Sequence, residues 1–167
     1  MMENAACITR AAKDDIDDIF ALYRSLIHMP YSTWNEHYPT LEMVEEDVQS
    51  HKVLIMRDEC HTLISAVSIR YEFEFSDAAA WYRDVRKWAM LSRLGVHADY
   101  QRRGIARKMI LASMEEACAD GCDAVQFLVS KENPIAQRAY APLGFEICGE
   151  AELFEAGRIW LCYQKRL

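Results

Sequence analysis

The sequence predicts an α/β fold in a single domain spanning residues 1–167, with a mixed sheet flanked by helices in the order β-α-α-β-β-β-α-β-α-β-β. Three observations carry that expectation. Residues 53–56 and 63–75 are strand-like runs joined by the turn Asp58-Glu59-Cys60, which makes a hairpin. Residues 105–120 read as a helix between two apolar runs, 88–96 and 124–129, which makes a strand–helix–strand unit. Hairpins in the first half and strand–helix units in the second give strands of mixed direction with helices against the sheet.

Each element has a local reason. Residues 7–10 form a short first strand. Asp14 and Asp15 favour a helix start, and Ile16, Ile19, Phe20 and Tyr23 follow at i, i+3, i+4 and i+7. Residues 29–39 break that pattern with two prolines and hold Tyr31, Trp34, His37 and Tyr38. Aromatic residues in a loop either line a ligand site or pin the loop to the core, and both readings stand. Thr40 suits the N-cap of a second helix running to about Ser50. In the strand 63–75, Leu63, Val67, Ile69, Tyr71, Phe73 and Phe75 share one face, and the other face ends in Arg70, Glu72 and Glu74. Residues 76–87 are a polar connection without a clear pattern. Gly121 stops the helix 105–120 in the left-handed C-cap role. The continuous apolar run 124–129 suits a strand buried on both faces. Asn133-Pro134 supplies an N-cap and a proline at the first helical position, opening a short helix to about Tyr140. Residues 145–154 and 158–165 close the chain as a hairpin with Gly157 in its turn.

Composition narrows the class. Hydrophobic residues make up 51% of the chain and charged residues 27%, which describes a globular core. Acidic residues outnumber basic ones by 26 to 19, a net charge of −7 that argues against a nucleic-acid surface and suits a cationic substrate. The first 13 residues lack a secretion-signal pattern, and no run of 18 apolar residues offers a membrane span. The six cysteines lack a paired framework, and the five histidines lack ligand spacing. The expectation is a cytoplasmic chain with reduced thiols and no metal.

Against that acidic background stands a basic island: Arg102, Arg103, Arg107 and Lys108 lie where a strand turns into a helix. A helix start gathers unpaired N–H groups and the positive end of the helix dipole, which suits a phosphate. Gly104 lets the backbone come close to such a group. A solvated basic first turn is the alternative.

Two motifs give this stretch a context. The first is Leu94-Gly95-Val96 followed by Gln101-Arg102-Arg103-Gly104-Ile105-Ala106. The second is Asn133, Ala136, Arg138 and Tyr140, followed by Leu143-Gly144-Phe145-Glu146. In order and spacing they resemble the GNAT superfamily of acetyl-CoA-dependent N-acetyltransferases, whose pyrophosphate loop reads Q/R-x-x-G-x-G/A. The resemblance covers essentially the whole chain and is sharpest from Leu94 to Phe145. It implies a mostly antiparallel seven-stranded sheet in which strands 88–96 and 124–129 run parallel and splay apart. It implies that the backbone N–H groups of residues 102–107 cradle the pyrophosphate and that Leu94, Gly95 and Val96 hold the pantetheine arm. Arg138 joins the cofactor-binding set, and Asn133 reaches the pantetheine or the reaction centre, a role compatible with capping its helix.

The chemistry the resemblance implies is direct attack of a primary amine on the thioester of acetyl-CoA in a ternary complex. A donor N–H from a bulged strand near Leu94 to Val96 would steady the oxyanion. The phenol of Tyr140 matches the family's usual general acid for the departing thiolate. No general base is visible, because residues 88–96 hold no Asp or Glu. Glu72 and Glu74 are the candidates, with two solvated carboxylates or a water chain as alternatives. Family members that acetylate protein N-termini often carry Glu five residues before the Asn, and Leu128 stands there instead. Pro142 departs from the commoner motif and should tighten or end its helix early. The acceptor expected is therefore a small cationic amine. A protein or peptide amine, or a non-catalytic CoA-binding module, are the alternatives. The aromatic-rich final hairpin leaves room for a homodimer.

Overall fold

In the computed structural model, residues 7–50, 52–72, 75 and 77–167 are described. A seven-stranded sheet has the order β1-β2-β3-β4-β5-β7-β6. Its strands are β1 (Cys7–Arg10), β2 (Lys52–Arg57), β3 (Leu63–Arg70), β4 (Trp88–Val96), β5 (Ala124–Ser130), β6 (Glu146–Glu152) and β7 (Ile159–Arg166). Every neighbouring pair is antiparallel except β4 and β5, which run parallel as a strand–helix–strand unit requires. The helices are α1 (Ile16–Ser25), α2 (Leu41–Ser50), α3 (Ile105–Ala119) and α4 (Pro134–Tyr140).

Helix ends follow the local chemistry. Thr40 Oγ1 accepts from the Met43 N–H at 3.3 Å and caps α2. Gly121 at φ +77° takes the left-handed position after α3, whose last turn no β-carbon-bearing residue closes as cheaply. The two faces of the sheet are covered differently. On one, α3 packs Met109, Ile110 and Ala117 against Val67, Leu91 and Val125. On the other, α1 and α2 set Ile19, Tyr23 and Val44 against Val53, Ile55 and Ala66.

That double cover changes the reading of β3. Its residues Leu63 to Ile69 are all buried, not alternately buried and exposed, because helices occupy both of its faces. The strand also ends at Arg70, five residues short of the expected end. Its last partner is Met90, two residues after β4 begins, so the sheet offers little more edge to pair with. Tyr71 leaves the sheet and its hydroxyl donates to Asp120. Phe73 and Glu74 lie outside the described residues. The connection 77–87 is structural: Trp81 packs edge-on to Trp88 at 6.0 Å, and Tyr82 N–H donates to Gln164 at 2.9 Å. It covers the face of β5, β7 and β6 that carries Ala124, Leu128, Cys162 and Cys148. Gly149 is the contact point, since a Cβ there would come within 2.9 Å of Ala79 Cβ. Among the described residues no helix is long and apolar enough to cross a membrane, and no cluster of three or more His, Cys, Asp or Glu residues stands ready for a metal. All six thiols are free.

Candidate active site

The site begins where β4 and β5 part. They pair only through Trp88↔Ala124, Ala89↔Val125 and Met90↔Gln126, after which β5 stays with β7 to Ser130 and β4 stays with β3. A cleft of about 300 Å³ opens in the gap. A β-bulge helps to open it. Ser68 faces Ser92 and Ala66 faces Gly95, so the single residue Val67 opposes Arg93 and Leu94 together. Arg93 holds φ +52°, unusual for a residue with a long side chain. Gly95 C=O accepts from Ser65 Oγ at 2.7 Å on the β3 side. Strand alternation then turns the backbone groups of Leu94 and Val96 to the open side, where the Val96 carbonyl accepts from Gln101 Nε2 at 3.0 Å.

The turn above β4 runs through a short 3-10 segment, Ala98–Tyr100, into α3. Arg102 at φ +62° and Gly104 at φ +76° are both left-handed. Left-handed residues interleaved with others curve the backbone so that N–H groups converge on a concavity. The first α3 bond is Lys108 N–H to Gly104 C=O at 3.1 Å, so the amides of Ile105, Ala106 and Arg107 lack a partner one turn earlier. A Cβ on Gly104 would meet nothing within 4 Å, so glycine is required there by φ and leaves the turn open. Arg102, Arg103, Arg107 and Lys108 are exposed, and among the described residues none is in an ion pair. Arg103 lies over the Tyr100 ring at 5.1 Å. Exposed cations that oppose their own helix dipole and neutralise no carboxylate fit an anion better than a merely solvated turn.

Asn133 and Tyr140 reach the cleft from α4. Asn133 Oδ1 accepts from Ala136 N–H at 3.0 Å and caps the helix, while the residue also lines the cleft. Tyr140 ends α4, with its ring edge-on to Phe127 at 5.1 Å and to Tyr163 at 6.5 Å. Burial raises its pKa well above the usual phenol value, and the nearby Tyr163 adds to the rise. Tyr140 is therefore a protonated phenol at neutral pH, the form a proton donor needs. Pro142 acts as its chemistry demands: α4 closes at Tyr140 and a 3-10 turn, Ala141–Leu143, follows.

Not every expected residue comes to the cleft. Leu94, Gly95, Val96 and Gln101 line it, as do Asn133 and Tyr140. Arg138 is exposed on α4, and neither it nor residues 102–107 of the turn above β4 are part of the lining. Glu72 stands past the end of β3, held by Arg70 at 3.0 Å, and is not part of the lining either. Glu74 is outside the described residues. The lining lends no support to the expected cationic acceptor. Among the described lining residues there is no carboxylate, and the charged side chain present is Arg93. The net negative charge of the chain resides elsewhere on the molecule.

Arg93 was not anticipated, nor was its partner. Asp47 of α2 is 2% exposed, and its Oδ2 lies 2.7 Å from Arg93 Nη1 and accepts from Ser68 Oγ at 2.5 Å. Tyr38 presents its ring to the Arg93 guanidinium at 5.7 Å. A signal existed in the sequence: Asp47 falls between Val44 and Val48 on the apolar stripe of its helix, and Arg93 interrupts an apolar strand. Two lone charges at core positions imply one another.

Comparison with known proteins agrees with this geometry. The sequence model of the acetyltransferase (GNAT) family matches residues 18–145. Similar solved structures include a GNAT-family acetyltransferase from Streptococcus agalactiae, 19% identical, covering 98% of this chain and 96% of that one, with a TM-score of 0.81. Another is yncA, a putative acetyltransferase of Salmonella typhimurium determined with its cofactor acetyl-CoA, 20% identical over 98% and 95% of the chains, TM-score 0.74. A third is Arabidopsis thaliana NAA60 in complex with a bisubstrate analogue, 18% identical over 97% and 98%, TM-score 0.72. No curated protein matches the sequence. The chain belongs to the acetyltransferase (GNAT) family.

Proposed function

We propose that this member of the family transfers the acetyl group of acetyl-CoA to the primary amine of a small molecule, in a ternary complex and without a covalent enzyme intermediate. The observation that carries the reading is the splay of β4 from β5, with a protonated Tyr140 at its wall and an open basic turn at its end. The backbone amides of residues 102–107 hold the diphosphate, and the exposed arginines add long-range attraction. Leu94 and Val96 hold the pantetheine arm through the backbone groups that β5 leaves free. At the bulge, a strand amide near Leu94 steadies the charge developing on the thioester oxygen. Tyr140 donates to the departing sulfur.

A small acceptor is favoured over a protein N-terminus by Leu128, which lines the cleft where N-terminal acetylating relatives often place a Glu. The test is Tyr140→Phe, assayed by thiol release from acetyl-CoA across a panel of amines and peptides. Loss of a proton donor lowers kcat by a factor on the order of 10²–10⁴, with acetyl-CoA affinity unchanged. Unchanged turnover would remove Tyr140 from the role, and turnover confined to peptides would replace the small-molecule acceptor.

A further inference from the structure

The acceptor half of the cleft is walled by aromatic rings from two loops. The α1–α2 connection supplies Tyr31, Trp34 and Tyr38, and the β6–β7 hairpin supplies Phe154 and Trp160. Two of these rings, Trp34 and Phe154, are braced by other aromatic side chains. Trp34 packs edge-on to Tyr23 at 4.8 Å, and Phe154 packs edge-on to Trp160 at 5.4 Å and to Phe75 at 5.5 Å. Tyr31 and Phe154 are 50% and 71% exposed and hold φ of +64° and +66°. Bulky side chains in the left-handed region are strained, and an exposed ring gains little from burial to offset that strain. Both rings stand at the rim of the cleft.

The electrostatics of this half point the same way. Arg93 lines the wall, and Asp47 sits behind it at 2% exposure. An amine that enters therefore loses water beside a guanidinium already paired with Asp47, and the loss of water disfavours its ammonium form. The neutral amine is also the nucleophile. Ring faces attract cations, but Arg93 already lies over the face of Tyr38. A second positive charge on the acceptor would meet the same penalty, with no carboxylate among the described lining residues to offset it.

We propose that the acceptor is an aryl-alkyl primary amine without a second positive charge, and that it enters the cleft already deprotonated, so that no protein carboxylate takes its proton. This rests on the acetyl-transfer reading above. The amine nitrogen forms the bond to the acetyl carbon and the carbon–sulfur bond breaks. The proton lost by nitrogen matches the proton gained by sulfur, so the bound neutral amine reacts with no net proton released. Among the described residues, the charged and titratable groups around the chamber are Arg93 of β4, Asp47 of α2, Tyr23 of α1, Tyr31 and Tyr38 of the following loop, and Tyr140 of α4. On the hairpin, Glu155 and Arg158 pair with each other at 3.0 Å, and past β3 Arg70 holds Glu72. Of the described carboxylates among these, none lines the cleft.

The experiment is thiol release by the full chain with 2-phenylethylamine, its less basic β,β-difluoro analogue and 1,4-diaminobutane, followed from about pH 6 to 9. Expected is a kcat/KM for the aromatic amine about tenfold or more above that for the diamine, a difference worth about 1.4 kcal/mol. The rising limb of the pH profile should follow the acceptor's own pKa and move down for the difluoro amine. Phe154→Ala should raise KM for 2-phenylethylamine several-fold and leave acetyl-CoA affinity unchanged. A limb fixed at one pH for both aromatic amines would mean an enzyme base and overturn the proposal, as would preference for the diamine. Absence of thiol release from every amine, with acetyl-CoA still bound, would overturn the acetyl-transfer reading and this inference with it.

Discussion

Replacing Asp47 with alanine isolates what the buried ion pair does. The Asp47 and Arg93 side chains are 2% and 7% exposed, 2.7 Å apart, and Ser68 donates to the same carboxylate oxygen. Removing the carboxylate strands a guanidinium inside the wall of the cleft, at the residue whose left-handed backbone forms the bulge. Breaking one side of a buried pair costs about 3–5 kcal/mol, because the remaining charge stays desolvated. A chain of this size has roughly 5–15 kcal/mol in all, so Asp47→Ala should fold but with a greatly lowered urea midpoint. Adding Arg93→Gly tests the mechanism. Glycine adopts φ +52° without strain, and the stranded charge is gone, so the double variant should recover about 1–3 kcal/mol as coupling energy. The assay is urea unfolding followed by tryptophan fluorescence, with midpoints compared at equal slope. A loss below about 1 kcal/mol in the single variant, the size of an exposed pair, would refute the reasoning.

Three further outcomes follow from other parts of the structure. Arg102→Glu with Arg103→Glu should raise the Kd for acetyl-CoA by about tenfold or more and flatten its dependence on salt, read by titration at two ionic strengths. Gly95→Ala should overpack, since the new methyl would lie 3.0 Å from Leu26 Cδ1, 3.2 Å from Trp34 Cη2 and 3.3 Å from Tyr23 Cδ1. A cost of about 1–3 kcal/mol and a Tm several degrees lower are expected in a thermal melt. Stability should fall in acid through Asp120 and Glu116. Lys52 holds both carboxyls below their ordinary range, helped by Tyr71 at Asp120 and by Arg10 at Glu116. A folded pKa below the unfolded one gives stability that is present above about pH 4 and is lost as pH falls through the folded value. Urea midpoints from pH 7 down to about 2.5 should show that acid limb, and Lys52→Met should reduce it.

Legibility in the sequence divided along a physical line. The limits of β4 and the start of α3, the glycine caps and the Asn133-Pro134 helix start were readable because glycine, proline and Asn act on their own backbone, whatever the rest of the chain does. The half of the cleft proposed for the cofactor is built from such backbone features, and the motif residues Leu94, Gly95, Val96, Gln101 and Asn133 line the cleft while Arg138 does not. The half proposed for the acceptor is built from side chains that meet only after folding. Asp47 and Arg93 are 46 residues apart, and Phe75 meets Phe154 from the far half of the chain. Only their anomalies were visible: a charge on an apolar stripe, aromatics in a loop. The end of β3 was misread for a related reason. Alternation continues in the sequence to Phe75, but a strand lasts only as long as its neighbour offers an edge, and that limit is a tertiary fact.

The distribution of backbone strain connects the two halves. Among the described residues, five that are not glycine hold positive φ: Tyr31, His61, Arg93, Arg102 and Phe154. His61 belongs to the β2–β3 turn, where Asp58 receives its N–H, and needs no further account. The other four lie on the cleft or on the turn above it. Each left-handed residue costs about 1–2 kcal/mol, so four cost a sizeable share of the stability expected for the whole chain. Strain at that scale persists when the surroundings over-determine it, and for two of the four the means can be named. The Asp47 carboxylate holds Arg93, and the ring pair with Trp160 holds Phe154. The bulge is thus held by a contact of the chain itself, the Asp47–Arg93 pair. Under the acetyl-transfer proposal, the stabilities of Asp47 and Arg93 variants should track their turnover with a small amine.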